Sequence, residues 1–310
     1  MNSVCLCYHI LYNIYTQLIT KKFSVGYCID YLIPVHHSAF HSSAYIYFGK
    51  DTNIFYNGDL RIESPSTIFH CDLRCFIEKL GIERVDLALI EGTNFSSKLE
   101  SFPITVNMLR DAFNKIFIAY DLIVVFIDPL DFELFSFLLD FARMFGRKVV
   151  VGSERIFWMV EQIRDRYNST TEDIYMAIEG KAPPPILLNA VSIEYDILQN
   201  PRDYILIVEP INLLEILRRM KLWGKELKIP RAVAVLTDPE PNEGYKEVEE
   251  SVLAKWFEML GIEVYRLRLS GHYYPHQFSD LIGILRPKEI VPIHTENPYY
   301  MKMIFEKLKK

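Results

Sequence analysis

Long hydrophobic runs are missing from this chain of 310 residues. Its most apolar internal stretch, Ile116 to Ile127, is shorter than the roughly 20 residues that cross a bilayer and carries Asp121, so it reads as a buried element. The first twenty residues are apolar, yet they lack a basic leader and a small-residue cleavage site, and no secretory signal is read there. Cysteine is scarce: Cys5, Cys7, Cys28, Cys71 and Cys75 make an odd set without a C-x-x-C pair. That pattern argues against a zinc ribbon or a disulfide framework and predicts reduced thiols and a cytoplasmic location. Low-complexity tracts and internal repeats are also missing. So is any basic excess, because the formal net charge is −6. A nucleic-acid site would therefore have to be a local patch, not a global field.

What remains is globular composition, 50% hydrophobic and 24% charged, enough for one large domain or two ordinary ones. Apolar residues alternate from Ala44 to Phe48 and cluster from Asn53 to Tyr56 around "GKDTN", which predicts a hairpin ending at "NGDLR". A short helix is predicted from Cys71 to Leu80, closed by Gly81, before the apolar run "LALIEGT". Four strand-helix units follow, opening with "DLIVVFI", "RKVVVG", "DYILIV" and "RAVAVLT", and these predict a parallel sheet covered by helices. Pro183 to Pro185 is the clearest breaker among them. The end of the chain reads as a strand, a loop bearing Ser270, Gly271 and His272, a helix from near Pro275, the strand "EIVPIH" and a last helix.

Chemistry-bearing residues stand at the margins of these strands: His37 before the hairpin, Asp59 and Glu91 after strands, and His272 and His294 after later ones. Imidazole nitrogens and carboxylate oxygens are ligands for zinc or manganese, and such an ion activates water for hydrolysis. Spacing leaves two readings open, a shared site or scattered loop residues that cap helices and bond backbone. His36, His41 and His276 are expected to be solvated bystanders, and His70 has no partner in view. Ser153 is expected to cap a helix. The basic stretch Arg218 to Arg231 suits either an RNA backbone or a solvated helix face. Trp158, Trp223 and Trp256 fall in helical patterns and read as packing.

The segments "VHHSAFHSSAYIYF", "FYNGDLR", "LALIEGT" and "SGHYYPHQFSDLIGILRPKEIVPIHTENP" stand in the order found in β-CASP nucleases of the metallo-β-lactamase superfamily, and most resemble archaeal ribonuclease J-like proteins. The resemblance implies a metallo-β-lactamase αββα sandwich, incomplete at its N-terminal side, made by residues 1–101 and 262–310. A Rossmann-like β-CASP insert would occupy 102–261. It also implies that His37, Asp59 and His294 bind metal, two zinc ions or manganese in the family, and that His272 gives a proton at the scissile phosphate while Glu91 holds it. RNA, single-stranded, is the implied substrate and a homodimer the implied assembly.

One departure stands out. The family's principal metal motif, H-x-H-x-D-H, occurs nowhere in these residues, and only His9 precedes His36. Either the sequence begins too late within an ordinary nuclease, or it is a shortened relative that binds RNA or a partner without cutting.

Overall fold

The computed structural model describes residues 21–25, 28–39, 42–66, 71–96, 103–157, 160, 174–178, 190–209, 215–216, 218, 231–239 and 244–309. The readings of His41, His70, Pro183 to Pro185, Trp158, Trp223 and most of the Arg218 to Arg231 stretch lie outside these residues. The protein is α/β with a mostly parallel sheet, and the chain divides into two compact units. Among the described residues no helix is long and apolar enough to cross a membrane.

The first unit comprises Met1–Pro103 and Ser270–Lys310. Its sheet opens with an antiparallel meander of β1 (Lys21–Val25), β2 (Cys28–Pro34), β3 (Ser43–Phe48) and β4 (Asn53–Asn57). Next to β4 lies β5 (Leu87–Glu91), parallel to it, and then β13 (Glu289–Ile293), parallel to β5. Two reversals separate β2 from β4, so β2, β4, β5 and β13 all point the same way. Their carboxyl ends therefore gather at one rim.

Helices α1 (Leu73–Lys79), α5 (Phe278–Leu285) and α6 (Pro298–Leu308) contribute Phe76, Leu281 and Phe305 to one core with Ile46, Phe55 and Ile90 of the sheet. Asp72 starts α1 by accepting the Cys75 amide at 2.8 Å. Two expectations fail in this unit. Cys71 and Cys75 are joined in a disulfide rather than reduced, because the turn at the helix start brings their α-carbons to 5.3 Å, a distance a search for C-x-x-C overlooks. His36 is buried rather than solvated, because its backbone carbonyl accepts the Arg61 amide in an isolated antiparallel bridge.

The second unit, Ile104–Leu269, holds a parallel sheet in the order β12-β11-β6-β10-β7-β8-β9. The strands are β6 (Leu122–Phe126), β7 (Lys148–Val151), β8 (Ile174–Ile178), β9 (Ala190–Ser192), β10 (Tyr204–Val208), β11 (Ala232–Leu236) and β12 (Ile262–Arg266). Every residue of β6, β10 and β11 is buried, the pattern of strands covered on both faces. Helices α2 (Val106–Ala119), α3 (Phe132–Met144) and α4 (Gly244–Leu260) belong to this unit. Strands β8 and β9 were not anticipated.

The return to the first unit falls after Leu269, not after Gly261, because β12 pairs along its length with β11 and is part of this sheet. Ser153 caps the helix after β7, its hydroxyl accepting the Arg155 amide at 3.1 Å. Arg147 is buried and donates to the carbonyls of Asp121, Phe117 and Tyr120 at 2.8, 3.0 and 2.6 Å, tying the end of α2 to the start of β6.

Candidate metal centre

The common direction of four strands brings distant residues to one rim. His37 follows β2, Asp59 follows β4, Glu91 ends β5 and His294 follows β13. His272 enters on the loop before α5. In sheets with parallel strands the crevice outside the carboxyl ends is where ligands bind.

Asp59 is the hub. Its Oδ2 lies 3.8 Å from His37 Nε2, and its Oδ1 lies 3.8 Å from His272 Nδ1 and 3.9 Å from His294 Nδ1. Glu91 is almost wholly buried and accepts hydrogen bonds on both oxygens, from the Thr93 amide at 2.8 Å and from His272 Nδ1 at 3.2 Å. With Nδ1 turned to Glu91, the His272 ring presents Nε2 on its other side.

The ring of His37 meets that of His272 edge to face at 5.1 Å. His37 is buried, and burial first, with the neighbouring His272 second, holds its imidazole below the ordinary value of 6.5. The neutral form is thereby favoured, which is the form that binds a metal. Its Nδ1 accepts the Ala39 amide at 2.8 Å. His294 adopts left-handed backbone, φ 47°, at the end of its strand, and its Nδ1 lies 3.1 Å from Thr93 Oγ1.

Several residues that support the site were not singled out from the sequence. The side-chain amide of Asn94 donates to Ser270 Oγ and to the carbonyls of His272 and Tyr273 at 3.1–3.2 Å, pinning the loop that carries His272. The hydroxyl of buried Tyr273 donates to the Glu91 carbonyl, and burial together with the Glu91 charge pushes that phenol far up. Asn57 accepts the Glu91 amide at 3.0 Å. Asn94 stands in the quoted "LALIEGT" neighbourhood, but the contact joins residues some 180 apart and leaves no mark in local spacing.

Two glycines are required by close approach. A Cβ on Gly271 would collide with Ser38 Oγ and come within 2.8 Å of His37 Nε2, and one on Gly92 within 2.9 Å of Thr295 Cβ. The "SGH" and "EGT" glycines thus make room for the site.

Among the described residues one group of three, His37, Asp59 and His272, has ligand atoms all within 4.8 Å of one another. Zinc bonds of about 2.0–2.2 Å would place tetrahedral ligands roughly 3.3–3.5 Å apart, close to the 3.8 Å between His37 Nε2 and Asp59 Oδ2. Two imidazoles and a carboxylate fit a zinc or manganese ion. The grouping differs from the expected His37, Asp59 and His294 in one member: His272 completes the compact group, and His294 touches Asp59 from a largely exposed position.

Comparison with known proteins adds an architecture. No family model matches the chain, and no curated protein matches it. A crystal structure of a protein of unknown function from Enterococcus faecalis V583 matches with a TM-score of 0.65 at 18% identity. The likeness is one of fold alone. The match covers 90% of this chain and 61% of that one, so this chain spans less than two thirds of the length of the structure it resembles.

Proposed function

We propose that the protein is a metal-dependent hydrolase of RNA phosphodiesters, built as a β-CASP member of the metallo-β-lactamase superfamily. The observation that carries this reading is the meeting of His37, Asp59, Glu91, His272 and His294 at one sheet rim, since residues with unrelated roles have no reason to converge from five separate segments. His37, Asp59 and His294 would hold the cation, with His272 beside the same carboxylate. A zinc or manganese ion bound there would supply Lewis acidity and would make water a better nucleophile at neutral pH.

The remaining steps belong to the chain's own groups. Glu91 accepts a hydrogen bond from His272 Nδ1–H, which fixes the tautomer and stabilises the ring when it is charged. Charged His272 gives its Nε2 proton to the leaving oxygen, a general-acid step. Asn94 holds the His272 backbone and Tyr273 the Glu91 backbone, fixing the two residues relative to one another. The large parallel-sheet insert supports a polymeric substrate over a small one.

The test is degradation of labelled single-stranded RNA by the purified chain with zinc or manganese added. Cleavage that disappears in His272→Ala is expected. Less than about one zinc per two molecules together with intact RNA would sink the hydrolase reading.

A second reading is favoured by one observation: among the described residues a single three-member ligand group is present, whereas the family uses two metals. In that reading the chain is a non-catalytic RNA-binding or assembly module. RNA retained in a gel-shift assay without any cleavage would select it.

A further inference from the structure

Cys71 and Cys75 bracket the start of α1, and their disulfide joins residues only four apart in sequence. A crosslink over so short a loop restricts the unfolded chain least, so it contributes less to stability than one closing a long segment. The helix start also has support of its own. Asp72 caps it by accepting the Cys75 amide at 2.8 Å, and the Phe76 amide donates to the Asp72 carbonyl at 3.1 Å. Leu73, Phe76 and Ile77 anchor the same turn in the core of the first unit. A turn held in this way keeps the two sulfurs close whether or not the bond between them is closed, so neither state requires the fold to be remade. The two cysteines differ in access: Cys71 is 6% exposed, whereas Cys75 is half-buried among exposed Asp72, Arg74 and Glu78.

We propose that Cys71 and Cys75 form a redox-sensitive site, a dithiol and disulfide pair that exchanges with small thiols of the glutathione class. Exchange begins on an accessible sulfur and ends on a resolving one. In the oxidising direction the Cys75 thiolate attacks oxidised glutathione, giving a mixed disulfide and releasing one glutathione thiolate. The Cys71 thiolate then attacks the Cys75 sulfur, closes the protein disulfide and expels the second glutathione thiolate. The protein loses two electrons and two protons, and one glutathione disulfide gains them as two thiols. Reduction runs the same steps backwards, with reduced glutathione attacking Cys75.

The consequence falls on α1, which packs against α5 and β2. With the bond closed, the first turn of α1 is tied covalently to the residue before its cap. With it open, the Asp72 cap and the core contacts hold that turn alone. Oxidation therefore stiffens the helix that supports these two elements.

The test equilibrates the full chain in buffers of varied reduced-to-oxidised glutathione ratio, quenches with acid, alkylates free thiols and reads the peptides carrying Cys71 and Cys75 by mass spectrometry. A reversible passage between dithiol and disulfide is expected. The oxidised chain should melt at least about 2 °C above the reduced one, and Cys71→Ser with Cys75→Ser should melt alike in both buffers. A pair that stays closed in the folded chain under a large excess of reduced glutathione is a structural disulfide and overturns the proposal. So does a pair that stays open in oxidised glutathione, or a melting difference that persists in the double variant. No readout uses metal or RNA, so the outcome is independent of the hydrolase reading.

Discussion

Glu91 and His272 stand 181 positions apart in sequence and meet at 3.2 Å, Oε1 to Nδ1, with the carboxylate sealed from solvent and the ring 17% exposed to it. A buried acceptor fixes the orientation of an imidazole whose other nitrogen is left for chemistry. The pair has the form of a positioned acid.

If that pairing drives the proton step, Glu91→Gln retains the shape and removes the charge. We expect RNA cleavage to fall by about two orders of magnitude, the lower part of the range for general acid catalysis, with zinc content unchanged. Single-turnover kinetics paired with elemental analysis would check it. Equal loss of metal and activity would instead make Glu91 a structural residue.

Asp59 makes the opposite prediction. If a zinc ion occupies the site, then because Asp59 lies within 3.9 Å of three histidines, Asp59→Asn should reduce the bound zinc to a small fraction, whatever the substrate. Mass-spectrometric metal counting after dialysis measures this directly. Full zinc retention would move the metal elsewhere.

The depressed His37 gives a pH signature. Its folded-state value lies below the ordinary 6.5, so the unfolded chain takes up a proton that the folded chain refuses. The associated stability is intact above pH 6.5 and is lost as pH falls from there toward the folded value, below which the loss stops. Metal-free protein should therefore melt at progressively lower temperature on going from pH 7.5 to 5, and His37→Gln should flatten that slope. Thermal scans of both proteins across that range decide the matter.

Gly271 is a packing prediction. Its missing Cβ leaves room for Ser38 and His37, so Gly271→Ala should push the His37 ring away and cost about 1–3 kcal/mol. Reduced zinc content alongside a lower melting temperature is expected. Unchanged zinc would mean that Ser38 alone gives way.

In the second unit, Arg147→Met strips donors from several buried carbonyls at once. A loss of about 3 kcal/mol or more is expected from the unsatisfied groups, read as a lower urea midpoint. The candidate metal centre belongs to the first unit, so any zinc content should not follow.

Much of the architecture was legible in the residues. The alternation around "GKDTN" predicted β3 and β4, and uninterrupted apolar runs such as "DLIVVFI" marked β6 and its neighbours as buried parallel strands. The hairpin of β1 and β2 was missed, as were β8 and β9. The disulfide was missed because four-residue spacing across a helix start is not a recognised pairing motif. The last boundary was misplaced because "IEVYR" is a strand by pattern, and pattern says nothing about which sheet a strand joins.

The site divides in the same way. Local sequence determined which residues stand at strand ends and supplied histidines and acids there, since period and turn chemistry act over a few residues. Only the tertiary structure decided that they meet. Placing β13 beside β5 brings His294 to Asp59, and pinning the loop with Asn94 brings His272 to both acids. Those contacts depend on strand order and on hydrogen bonds across some 180 residues, and no short-range pattern encodes them.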